Sequence, residues 1–370
     1  MSFTYFPTSY KLKSQILKVF WITVAWTFIS LFQFFNIYAN LRSLNVDISH
    51  IDPMIAFKGS ILVGILAGIF GGSGIVFIWE KWLRTEPYGW TIISIILSYF
   101  VIYLMVDIPT TLYVTSNQLD LPVFSAKIWE IIIAEHANFD QLQSFIFWLI
   151  VVIGTHIILL VNDKYGPGMF RAFLLGKYFH PKREERVFMF LDLRSSTTIA
   201  EKLGEERYFH FLKDIYRDAT KSILLTKGEI YQYVGDEIVI SWPTLKATEN
   251  ANCLNCFFDI KRKLIDNNKY YQETYNVIPE FKAGLHYGYV MAGEIGVIKR
   301  DIAFSGDVLN TTARIQSKCN ELGVDILFSK YLLTKLNLPD QSYQSRNIGE
   351  IHLRGKEQKV ELYTCLSESI

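Results

Sequence analysis

Charge is scarce in the first part of this 370-residue chain: of its 37 basic and 36 acidic residues, only 17 precede position 161. The run TIISIILSYFVIYLMV contains none at all. Soluble core helices carry charges on a solvated face, so a wholly soluble chain is excluded. Cysteine is scarce too. Four residues in a membrane chain whose soluble half is expected to face a reducing compartment do not suggest a disulfide framework, and although Cys253 and Cys256 form a C-x-x-C, no second Cys or His pair follows at zinc spacing. The pair reads as part of a buried helix face. A net charge of +1 offers no basic excess, and no nucleic-acid partner is expected.

What the first half does contain is apolar length. Four segments, at about 15–38, 59–79, 90–106 and 145–161, approach the ~20 residues that a bilayer core requires. They define a membrane domain over 1–162, partnered by the lipid bilayer. Lys11, Lys13 and Lys18 precede the first span, and Lys81 and Arg84 lie between the second and third. Arg42 and Lys58 lie on the opposite side, and Lys127 alone marks the long connection from Pro109 to Ser144. This distribution predicts a multi-pass protein of the cell membrane with both termini cytoplasmic. The first segment lacks a cleavable small-residue site and reads as a span. His156, inside the fourth segment, suits a bundle histidine better than a proton or haem site.

From Arg186 the periodicity changes. VFMFLDL reads as a strand, and Ile199, Leu203, Phe211, Leu212 and Ile215 recur at helical spacing. A hairpin, KGEIYQYVGDEIVISW, follows. A second long helix is expected from Ala247 to Tyr275, and EFKAGLHYGYVMAGEIG reads as another hairpin. After a helix at NTTARIQSKCNELG and a strand at DILFS, the chain ends in a closing strand pair. The order is α+β, a hairpin sheet with helices on one face, over 186–370.

Asp192 ends the first strand and Asp236 sits on the hairpin turn. Turns favour Gly and Asp for backbone reasons, and Asp192 alone could be only a helix N-cap. Two carboxylates brought together at one sheet end would repel, and a bound cation relieves that repulsion. Hard oxygen donors with few companions suit Mg²⁺ or Mn²⁺ completed by substrate phosphates. Ser195, Ser196 and Thr197 follow Asp192 and open a helix whose N-terminus attracts anions. Asn310 and Arg314, at i and i+4, share a helix face, while Arg354 and Lys356 flank a Gly turn suited to phosphates.

These motifs, FMFLDLRSSTTIAEKLG, YQYVGDE and SGDVLNTTAR, resemble the signature of the class III nucleotidyl cyclases. The likeness runs from about Glu185 to Thr364 and implies a ferredoxin-like catalytic domain that acts as a head-to-tail homodimer. It assigns two Mg²⁺ or Mn²⁺ ions per active site to Asp192, Asp236 and the Leu193 carbonyl. It makes Asn310 and Arg314 the transition-state pair, and Lys356 the phosphate lysine. A diguanylate cyclase is disfavoured because Val234 stands where that family needs another Gly. A dead binding module would have lost one of the charged roles, and none is lost. A channel or transporter with a cyclase-like regulatory domain remains open from the membrane half.

The resemblance also places the purine selectors at Gln232 and Ala303, where this chain departs from the usual Lys or Glu and from the usual polar partner. A Gln amide can serve either purine. ATP is the expected substrate, with GTP or dual use as the alternative. Between the halves, 163–185 forms a linker in which Gly166, Pro167 and Gly168 should break the fourth helix. Its second part could lie on the bilayer with Arg171 and Lys177 facing headgroups, pack between protomers, or merely tether.

Overall fold

The computed structural model describes residues 8–47, 51–79, 88–136, 139–165, 175–298, 301–336, 343–352 and 359–367. The chain divides into two compact units, Met1–Val161 and Asn162–Ile370.

The first unit is helical: α1 Thr8–Ser43, α2 Pro53–Ser73 prolonged by a π-helical turn Gly74–Trp79, α3 Tyr88–Leu119, α4 Ala126–His136 and α5 Phe139–Tyr165. Asp52 starts α2 by accepting the Met54 N–H at 2.8 Å, with Pro53 pre-set for the first turn. Four helices are long and apolar enough to cross a bilayer, over Leu12–Ser43, Pro53–Trp79, Ile93–Leu119 and Gln141–Asn162. This is a multi-pass membrane protein. Helices α1 and α2 meet through glycines: a Cβ on Gly64 would stand 2.4 Å from Thr27 Cα, and one on Gly68 2.3 Å from Thr23 Cα. Lipid gives helices no hydrophobic reason to associate, so this close backbone approach supplies the packing. Trp26, Ile75, Trp79, Tyr99 and Trp148 are buried in the bundle, as is His156.

The third span differs from the sequence expectation. It continues through Pro109 to Leu119, and α4 occupies part of the connection read as a long loop. A proline inside a membrane helix is tolerated where neighbours satisfy the freed backbone, so its presence did not end the helix.

The second unit holds β1 Lys182–Leu193, α6 Ser196–Leu203, α7 Glu205–Leu225, β2 Glu229–Val234, β3 Glu237–Pro243, α8 Asn252–Asp266, α9 Asn268–Tyr275, β4 Phe281–Ile295, β5 Asp301–Ser305, α10 Asp307–Glu321, β6 Ile326–Ser329, β7 Tyr343–Ile351 and β8 Val360–Ser367. The strand order is β2-β3-β1-β4-β6-β8-β7, with β5 paired to the far end of β4. Strand β1 runs antiparallel to both β3 and β4, while β6 joins β4 in parallel. Alternation along β1 sends Val187, Met189, Leu191 and Leu193 into the main core with α6 to α9. Phe188 and Phe190 face the other way, into a smaller cluster with Val239, Val290 and Val308.

Helices therefore lie on both faces, not one, because α10 packs on the Phe188 face. Glycine permits this. A Cβ on Gly284 would fall 2.4 Å from the Gln316 backbone nitrogen, and one on Gly288 2.5 Å from Val308 Cγ2. The segment EFKAGLHYGYVMAGEIG, read as a second hairpin, is one continuous strand, β4. The long helix expected to Tyr275 is broken into α8 and α9. All four cysteines are free and buried, with burial pushing the Cys256 thiol up to about 12.

Candidate active site

Strand pairing fixes the acidic cluster. Asp192, next to last in β1, faces Glu237 on β3 and Lys282 on β4. Between β2 and β3 lies a two-residue turn, Gly235-Asp236, in which Gly235 adopts φ 62°, a left-handed value that a hairpin of this length favours. Tyr216 of α7 donates to the Gly235 carbonyl at 2.6 Å and stacks on Tyr233 with ring centres 4.7 Å apart. The turn is thus anchored, and Asp236 sits within electrostatic reach of Asp192.

Three carboxylates, Asp192, Asp236 and Glu237, share this corner. Burial, opposed by the Lys282 ammonium and reinforced by the Asp236 carboxylate, holds Asp192 above the usual carboxylate range. Burial, with the charges of Asp192 and Asp236, lifts Glu237 to about 7. The cost of crowding is real. Lys282 Nζ sits 3.1 Å from Asp192 Oδ2, which also accepts from Gln316 Nε2 at 2.8 Å. Among the described residues no three His, Cys, Asp or Glu side chains form a closed metal cluster. The set is therefore open, two hard carboxylates with Leu193 next in sequence, which fits a divalent cation whose other ligands come from phosphate and water.

The loop after β1 turns sharply, with Ser195 at φ 54° and α6 starting at Ser196. Ile199 is the donor back to the Ser195 carbonyl at 3.0 Å, so the N–H groups of Ser196 and Thr197 point out of the first turn. Arg194, adjacent, is turned away to Asn320, Val324 and Asp325. Asn310 and Arg314 lie on α10, Asn310 exposed. Gln316, which grips Asp192, lies about 120° from Asn310 and about 160° from Arg314 around the same helix. Helix periodicity thus turns the Asn310/Arg314 face away from the side of α10 that carries Gln316.

Gln232 is exposed beside a bulge in β2, and Ala303 pairs with Gly293 in β5. Their neighbours touch: the Phe304 N–H donates to Tyr231 Oη at 3.3 Å, and the two rings are 5.0 Å apart. Arg354, Lys356, Gly166, Pro167, Gly168 and Arg171 lie outside the described residues. The Lys177 ammonium pairs with Glu184 of β1 at 3.0 Å and donates to Tyr178 Oη at 2.8 Å.

Residues 180–367 match the family described as "Adenylate and Guanylate cyclase catalytic domain". The chain belongs to this cyclase family. It is 36% identical over 213 residues to Adenylate cyclase 2 of Rhizobium meliloti (strain 1021), covering 58% of each chain. Identity is 26% over 182 residues to an adenylate cyclase of Anabaena cylindrica, 47% of this chain and 35% of that one. It is also 26% over 193 residues to a receptor-type guanylate cyclase of Caenorhabditis elegans, 49% of this chain and 18% of that one. The chain thus spans well under two thirds of each of these relatives. In fold it is like a bacterial light-regulated adenylyl cyclase, with a TM-score of 0.52 at 21% identity over 62% of this chain and 66% of that one.

Three side chains of the cyclase domain escaped the sequence reading: Lys282, Gln316 and Glu237. Lys282 is a single cation inside the strand FKAGLHYG, and only the register with Asp192 reveals it.

Proposed function

We propose that this chain is a membrane-bound adenylate cyclase that converts ATP to 3′,5′-cyclic AMP and pyrophosphate at sites built between two copies of itself. What supports the reading is the placement of the two expected halves: the acidic corner at Asp192 and Asp236 is gripped by Gln316, and Asn310 and Arg314 lie about 120° and about 160° around α10 from that residue.

In a pair of copies with two-fold symmetry, each copy's α10 face would meet the other's acidic corner, giving two sites. Asp192, Asp236 and the Leu193 carbonyl would hold two Mg²⁺ or Mn²⁺ ions. Bound there, such ions would lower the pKa of the ribose 3′-hydroxyl and neutralise the triphosphate. Ser195, Ser196 and Thr197 would receive phosphate oxygens at the start of α6. Asn310 would orient the ribose, and Arg314 would lie against the α-phosphoryl group as the 3′-oxygen forms its bond to phosphorus and pyrophosphate departs. Lys356 would bind the outer phosphates. Lys282, released from Asp192, would remain as a cation beside them.

Gln232 and Ala303 leave few polar groups unpaired by the wrong base, so discrimination should be modest. ATP is favoured because guanine more often needs a carboxylate to accept from N1 and N2. GTP or dual use is the second reading, supported by the absence of both usual selector residues. Both termini are assigned to the cytoplasm by the Lys and Arg distribution. Incubating the purified full-length chain with Mn²⁺ and each nucleoside triphosphate tests the reading. Cyclic AMP should form from ATP, and no cyclic product from any nucleotide would refute it. A reporter fused after Ile370 should be active only inside the cell.

A further inference from the structure

The apolar helices of the first unit line a partly open cavity of about 410 Å³ that the catalytic reading does not use. Trp26, Trp79, Tyr99 and Trp148 contribute aromatic walls. Asp107 contributes a carboxylate, and no Lys, Arg or His belongs to the lining. Asp107 stands near the midpoint of the span Ile93–Leu119, where an acidic side chain is costly to insert. Such a residue at that depth marks a binding or transport role far more often than a packing role. Tyr103 interacts with Asp107, and its hydroxyl proton goes to Gln141 Oε1 at 2.9 Å.

We propose that this cavity binds a small organic cation, an amine or quaternary ammonium with an apolar body, its charge beside Asp107 and its body against the indole rings. Asp107 gives the lining a carboxylate, and electron-rich rings attract a desolvated cation. The volume falls within the range of small-molecule sites, roughly 300 to 1,000 Å³. A bare metal ion suits the site less. It would need several strong oxygen donors, whereas Asp107 is the one carboxylate among the described lining residues. A neutral apolar ligand would leave the carboxylate without purpose.

The test uses the full-length chain in phosphatidylglycerol nanodiscs, which carry no cationic headgroup. Benzyltrimethylammonium is titrated against tryptophan fluorescence, beside its neutral isostere neopentylbenzene. The cation should give a saturable change. The isostere should bind at least tenfold more weakly, a difference of about 1.4 kcal/mol. Asp107→Asn should weaken the cation by a similar factor, and Thr111→Phe, which fills the cavity, should abolish the change, with size-exclusion profiles confirming that each variant is folded. Should Asp107→Asn not fold, the isostere comparison and Thr111→Phe carry the test. Competition by added phosphatidylcholine would identify a lipid headgroup as the natural source of the same chemistry and would still support the site. Equal binding of cation and isostere, no saturation, or unchanged affinity in the folded variants would overturn it.

Discussion

Lys282 Nζ lies 3.1 Å from Asp192 Oδ2, across two strands on which the residues are direct register partners. The ammonium occupies the place of a cation in a corner that otherwise holds three carboxylates. Removing it should expose their mutual repulsion. Lys282→Met is expected to destabilise the chain by about 2 kcal/mol in EDTA, because a mostly buried carboxylate loses its partner. Added Mn²⁺ should close most of that gap. Thermal melts of wild type and variant, each with EDTA and with Mn²⁺, check this, and a deficit that Mn²⁺ leaves untouched would count against a cation at Asp192.

A second charged network stabilises the opposite end of β1. Arg186 is 2% exposed, with Glu229 at 2.8 Å, Glu184 at 3.1 Å, Ser241 at 2.7 Å and the Phe304 ring at 4.5 Å. Glu229→Ala should cost about 2 kcal/mol, since a buried guanidinium then keeps only Glu184 as a carboxylate partner. Denaturant melts measure it.

The same network predicts a pH dependence. Burial would raise the Glu184 carboxyl, but Lys177 and Arg186 outweigh it and leave the group below its usual range. The unfolded chain therefore binds this proton more readily than the folded one. The stability Glu184 contributes is complete above the ordinary carboxylate range and is lost as pH falls through the folded value. Comparing Glu184→Gln with wild type, the stability difference should shrink on acidification below about pH 4.5.

The purine prediction concerns Gln232. A carboxylate there would accept from guanine N1 and N2, so Gln232→Glu should shift the kcat/KM ratio toward GTP. Competition assays with both nucleotides decide it, and a strong GTP preference already present in the wild type would reverse the substrate assignment.

Much of the molecule is written openly in its residues. The uncharged runs give the spans, and Asp192, Asp236, Asn310 and Arg314 stand in motifs whose spacing is informative by itself. What escaped depends on contacts distant in sequence. EFKAGLHYGYVMAGEIG looks like a hairpin until its pairing with β1 is seen to run unbroken from Phe281 to Ala292, and Lys282 looks incidental until the strand register sets it against Asp192. Pro109 reads as a helix end, yet the neighbouring helices carry α3 past it, which is why Asp107 was not read as an intramembrane residue.

The most direct test of the central claim is complementation between inactive variants of the full chain. Asp192→Ala and Arg314→Ala should each form no cyclic AMP from ATP and Mn²⁺. Co-expressed in equal amounts, they should recover up to about a quarter of wild-type activity, because half the pairs are mixed and each mixed pair regains one of two sites. Chromatographic quantification of cyclic AMP reads the outcome. Recovery near that level is the predicted result, and a mixture as inactive as its two components would contradict a site shared between copies.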